Sequence, residues 1–291
     1  MKRAAMMIAM LGVVVWGLAP KGLAQSGSTQ GNSKPAGQSS AQTTPANGQA
    51  AAPAGKRPPQ AKTQPEFDAY KTAAAITDPA QQEKAAAEFA AKYPESELRP
   101  VLYKAVMHGY QQANNADKML EMAQKVLSYD PDDPEALLGV SQVLADRTRD
   151  TDLDRDQRLD EAKKDAERSL VTLETDLPTS GYPPEQLKAY KDFLRSDAYA
   201  ILGTIDFDKK DWTAAESDFR KSIDAFPQQV DPIAVFRLSV ALDMQNKYPE
   251  ALKFADQAVG LTKEGTPAGD AARKEKDRLT QLTGGSAPPA K

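Results

Sequence analysis

The sequence predicts an all-α chain built from antiparallel helix pairs stacked side by side. Three observations point there. Helix starts recur at Asp78-Pro79, Asp133-Pro134, Asp231-Pro232 and Thr266-Pro267. Each sets a capping side chain before a proline at the first helical position, where a missing N–H leaves no bond unmade. Stops recur at Tyr93-Pro94, Asp130-Pro131 and Phe226-Pro227, and between these marks lie segments of about 12–16 residues with apolar groups at helical spacing. Period-two alternation and Asn-Gly hairpin signals are missing from Glu66 onward, which argues against strands.

The first element reads as an export signal over residues 1–24. Lys2 and Arg3 precede an uncharged apolar run from Ala4 to Ala19, then Pro20 breaks it and Gly22-Leu23-Ala24 offers small residues for cleavage. The run falls short of the roughly 20 residues a bilayer span needs; retention as an anchor stays open as the alternative. The chain has 0 cysteines, which excludes disulfides, thiolate metal sites, a cysteine nucleophile and the lipid-bearing cysteine of a bacterial lipoprotein. The expected location is therefore periplasmic or secreted, not a lipoprotein, with no transmembrane span after cleavage.

Residues 25–65 contain no acid, no aromatic and no Val, Ile, Leu or Met, with Lys34, Lys56, Arg57 and Lys62 as their charges. Such a Pro/Ala/Gly/Ser/Gln-rich segment cannot offset the entropy of ordering and is expected to be a disordered linker. Of the chain's 37 basic and 41 acidic residues, three bases fall in 1–24 and these four in 25–65. Residues 66–291 therefore carry 30 against 41, a net charge of −11. Nucleic acid is a poor partner for such a surface.

Five helical units follow. The first, 66–95, is marked by Phe67, Tyr70, Ala86, Phe89 and Pro94. The second, 100–133, carries Tyr103, Val106, Tyr110, Ala123 and Pro131, with Met119 where a small residue is expected. The third, 134–176, has Leu137, Val140, Leu144, Ala162 and Ala166, interrupted by an insertion at 148–156. The fourth, 196–229, has Tyr199, Leu202, Gly203, Trp212, Ala215, Phe219 and Pro227. The fifth, 232–265, has Val235, Leu238, Leu242, Tyr248, Ala251, Ala255 and Ala258. The equivalents Tyr103, Leu137, Tyr199 and Val235 lie 34, 62 and 36 residues apart, and the long gap holds the insertion and 19 further residues, 177–195. Residues 266–282, rich in charge with only Leu279 and Leu282 as large apolar residues, read as a capping helix, and 283–291 as a disordered tail.

An aromatic, then Leu-Gly, a small residue, a second aromatic and a closing proline resemble the tetratricopeptide repeat. Unit 196–229 fits at nearly every marker; Asp206 departs from it, standing where an aromatic would be usual. The resemblance covers roughly 66–265. It implies a right-handed superhelix in which small residues such as Gly203, Ala215 and Ala251 admit close helix approach and aromatics fill the wedges between repeats. Lys92-Tyr93-Pro94-Glu95-Ser96 and Asp130-Pro131-Asp132-Asp133-Pro134 are similar to the inter-repeat corners of bacterial envelope members.

Metalloprotease, Walker and dinucleotide motifs are absent, and His108 is the single histidine, so a His-based triad or multi-His metal site cannot be built within one chain. No cofactor and no catalysis are expected. Asp150, Asp152, Asp154, Asp156 and Glu161 match the spacing of a calcium loop, but Arg155 stands where that loop needs glycine, and Arg147, Arg149, Arg155 and Arg158 offer the acids local partners. A solvated, ion-paired loop is the simpler expectation.

The resemblance implies a protein-interaction scaffold that holds a peptide or helix in the groove lined by first helices. By its frame the groove residues are Lys104, His108, Gln111, Gln112, Gln142, Thr204, Phe207, Phe236, Val240 and Met244, the last three open to covering by the capping helix. The set lacks the Lys/Arg/Asn cluster of members that take acidic C-terminal tails. An accessory subunit of a cell-wall or secretion enzyme complex, or a calcium-modulated module, remains as an alternative.

Overall fold

The computed structural model describes residues 56–178 and 182–284, and every described element of regular structure is helical. The α-helices are α1 (Gln64–Ala74), α2 (Pro79–Lys92), α3 (Arg99–Gln112), α4 (Ala116–Tyr129), α5 (Pro134–Arg147), α6 (Arg155–Thr175), α7 (Pro184–Asp208), α8 (Trp212–Ala225), α9 (Pro232–Asp243), α10 (Tyr248–Leu261) and α11 (Pro267–Leu282). The capping signals act as their chemistry dictates. Asp78, Asp133, Asp231 and Thr266 accept the backbone N–H of Gln81, Ala136, Ile233 and Gly269, with proline in the first turn each time.

Each helix packs on the next, and the substantial contacts between helices two apart join only odd-numbered ones: α1 with α3, α5 with α7, α7 with α9, α9 with α11. That asymmetry sets the odd helices on the inner face of a superhelix and the even ones outside. The chain is a tetratricopeptide-like solenoid of stacked helix pairs.

Close approach inside a pair is clearest at Gly203. A Cβ there would lie 2.7 Å from the ring of Phe219, which is itself fully buried. Where the fourth unit has Gly203, the third and fifth have Ser141 and Ser239. Their hydroxyls donate to the carbonyls of Ala162 at 2.6 Å and Ala251 at 2.9 Å, so each polar group is satisfied inside the helix pair. Three turns within pairs share one backbone solution: Asn114, Lys210 and Asn246 adopt φ of 55°, 61° and 61°.

The structure departs from expectation in two places. Residues 56–65 do not belong to a free linker. Lys56 donates its N–H to the Thr175 carbonyl at 3.1 Å, and its Nζ lies 2.6 Å from Asp130 and 3.4 Å from Asp176. Arg57 pairs with Glu97 at 2.5 Å, and Ala61 packs against the first core cluster. Asp130 and Asp176 cap the C-termini of α4 and α6, where helix dipole and carboxylate together favour a cation. The expected signal at 1–24, the rest of the linker and the tail from 285 lie outside the described residues.

The other departure is the long gap. The insertion forms a loop only over 148–154, because α6 already begins at Arg155. Most of the 19 extra residues become the opening turns of α7, which at 25 residues is the longest described helix. Its apolar stripe packs Tyr190, Phe193 and Leu194 against Leu138 of α5 and Leu173 of α6.

Candidate functional site

The inner face carries a pocket of about 350 Å³. Its walls come from α3 (Met107, His108, Gln111), α5 (Glu135, Leu138, Gln142, Asp146), α7 (Tyr190 to Thr204) and the start of α9 (Asp231, Ile233, Arg237). The floor is apolar: Met107, Leu138, Phe193 and Leu194 are each at most 6% exposed. The rim is polar, apart from Ile233, which is 38% exposed. Volume and lining suit one or two side chains of a ligand, with polar groups to fix orientation.

At the α3–α5 end the wall is a closed charge cluster. Lys104 Nζ lies 2.8 Å from both Asp133 and Glu135, and His108 Nε2 meets the other Glu135 oxygen at 2.9 Å. Burial disfavours the Lys104 ammonium, but Asp133 and Glu135 outweigh it and hold its pKa above the ordinary lysine value. Burial likewise opposes the Glu135 carboxylate. Lys104 and then His108 override it, so that carboxyl sits well below the usual range. Tyr190, hydrogen-bonded to Glu135, is pushed well above its ordinary value by burial first and that carboxylate second.

The opposite end has the reverse balance. Asp146 is raised by loss of solvent to the groove walls, with Arg237 opposing and Asp231 adding to the shift. Asp208 is raised by burial, against Arg237 and Arg155, with Asp150 and Asp146 adding. Arg237 donates to Thr204 Oγ1 at 2.5 Å and lies 6.0 Å from the Phe207 ring centre.

Of the expected groove residues, His108, Gln111, Gln142 and Thr204 line the pocket. Lys104 sits behind the wall in the ion cluster. Gln112 is exposed at the end of α3. Phe207 points into the repeat, edge-on to Trp212 at 5.2 Å and Phe219 at 6.5 Å. Phe236 packs with Val235, Ala258 and Ala272 of the terminal helix. Val240 and Met244 continue the helical stripe of Ile233 and Arg237 beyond the pocket, and Met244 is 51% exposed.

The frame missed Met107, Glu135, Leu138 and Asp146 on its own helices, Asp231, Ile233 and Arg237 at the start of α9, and a whole stretch of α7: Tyr190, Phe193, Leu194, Asp197 and Ile201. Starting the fourth unit at 196 cut α7 in mid-helix. The 190, 193, 194, 197, 201, 204 spacing is nonetheless a continuous helical stripe. Asp206, the departure from the repeat pattern, is buried and accepts from Lys163 at 2.8 Å, tying α6 to α7 where an aromatic would have packed.

The five acids matching a calcium loop do not converge. Asp156 and Glu161 lie on α6; Asp152 caps the Arg149 N–H at 2.9 Å. Arg155 pairs with Asp150 and Asp156, and Arg158 with Asp154. Among the described residues no group of three or more His, Cys, Asp or Glu side chains is placed to hold a metal ion. None of the described helices is long and apolar enough to cross a membrane.

No protein-family model matches the chain, and no curated protein matches it. Solved structures do. Pseudomonas aeruginosa pilF is similar at TM-score 0.50 and 15% identity, covering 77% of this chain and 96% of that one. MamA gives 0.36 at 18%, covering 61% and 94%; the assembly chaperone of RpL4 gives 0.40 at 12%, covering 75% and 96%. At 15% identity the likeness to pilF is one of fold: the helix-pair solenoid is shared.

Proposed function

We propose that this chain is an exported, non-catalytic adaptor of the bacterial envelope that holds a short segment of another protein in its inner pocket. The observation that carries the reading is the pocket itself, an apolar floor under a polar rim, walled by helices of four successive units. Such a surface binds by shape and desolvation. Export rests on the leader: Lys2 and Arg3, the apolar run to Ala19, and Gly22-Leu23-Ala24.

A photoreactive residue placed at Gln142 or Ile233 should capture a discrete partner in cells, whereas the same residue at exposed Gln257 on α10 should not. Equal yields at all three, or none, would defeat the groove. The leader is tested separately by the mass of the mature chain, expected to begin at Gln25; a cytosolic, full-length product would remove the envelope assignment.

A further inference from the structure

The two ends of the pocket differ in how their carboxylates are paired, and the difference selects a ligand. At the α3–α5 end, Asp133 and Glu135 are answered by Lys104 and His108, so that wall is complete without a ligand. At the other end Asp146 and Asp231 line the pocket with Arg237, while Asp208, outside the lining, acts on Arg237 and Asp146 electrostatically, and Arg237 directs its Nη1 hydrogen to Thr204. Arg155 offsets Asp208 only in part: its ion pairs go to Asp150 and Asp156, and it donates to the backbone carbonyl of Asp208. Carboxylates without an ion-pair partner among the described residues therefore stand beside an apolar floor, and residues 66–291 as a whole carry a net charge of −11.

We propose that the pocket takes a partner segment that lays an apolar side chain on the Leu138–Phe193–Leu194 floor and sets a neighbouring lysine or arginine beside Asp146 and Asp231. This rests on the adaptor reading and adds the class of segment recognised. An acidic segment would meet like charge at this end. A neutral one would leave the carboxylates partly desolvated and without a counter-ion. A basic one completes the set and gains from the low local dielectric.

The test is selection of a random displayed peptide library on the whole chain, followed by affinity measurement of the winners and their Lys/Arg→Gln versions. Selected peptides should combine a large apolar residue with lysine or arginine. They should lose about tenfold on replacement by glutamine, and weaken as salt rises. Asp146→Asn with Asp231→Asn should abolish that discrimination while leaving the thermal midpoint unchanged or higher, since burial disfavours the Asp146 charge and asparagine caps the helix as well as aspartate. Peptides without basic enrichment that still compete for the Gln142 crosslink would overturn this inference and leave the adaptor standing. No binder at the pocket would overturn both. A Leu138→Asp variant that keeps full affinity would place the peptide elsewhere and also reject the proposal.

Discussion

Lys210 takes a left-handed backbone at a turn where the equivalent residues are Asn114 and Asn246. Asparagine tolerates that region; lysine's Cβ meets its own carbonyl there, so Lys210→Gly should stabilise the fold by about 1 kcal/mol in urea titration. The same change at Lys209, which keeps a right-handed backbone at the C-cap of α7, should lower stability. Glu135 makes a second prediction. Its carboxyl is held below the ordinary range when folded, so its contribution is complete above the unfolded value of about 4.3 and fades as pH falls further toward the folded one. Lys104 behaves inversely: its pKa is raised, so its share is complete below the ordinary lysine value and is lost as pH climbs past it. Glu135→Gln should lose about 3 kcal/mol at neutral pH by leaving Lys104 half-answered. It should also flatten the acid limb of the stability profile; an unchanged limb would mean the pair does not form. None of this was readable from the repeat frame, which assigned Lys104 and His108 to an open groove, because a frame gives the face of a side chain but not the carboxylate opposite it.

At the scale of elements, α7 is where the sequence was hardest to parse. Its second half carries Tyr199, Leu202, Gly203 and Asp206, and these fixed the repeat so firmly that the first three turns were counted as surplus. The surplus is helix, and it builds the pocket. Phe193 is 3% exposed and meets Phe226 edge-on at 6.0 Å, so Phe193→Ala should lose about 3–5 kcal/mol and shallow the floor together. Calorimetry reads the first effect and crosslinking at Gln142 the second. What was legible is equally physical. An aspartate or threonine before proline suits a helix start, and although Asp130-Pro131 follows a helix end, four other such pairs located α2, α5, α9 and α11 to the residue. The arm at 56–62 was not legible, since its contacts are long-range ion pairs and its own composition is that of a linker.

At the scale of the molecule, every unit leans on neighbours, and end units have one neighbour fewer. Native-state hydrogen exchange should be slowest in α5 to α8, where the α7 extension adds contact across the inner face, and faster in α1 and α11. Uniform protection along the chain would contradict the stacking. The stacked repeats were foreseeable from spacing alone; the filled inner face was not, because it depends on which extra turns fold back. The arm alters how the solenoid meets mechanical load. Lys56 grips the corners of the second and third units, one and two units inward from the helix it precedes. Tension arriving from upstream therefore shears across Asp130 and Asp176 before it can peel α1 away, much as a cable is clamped inside its housing so that a tug never reaches the terminal.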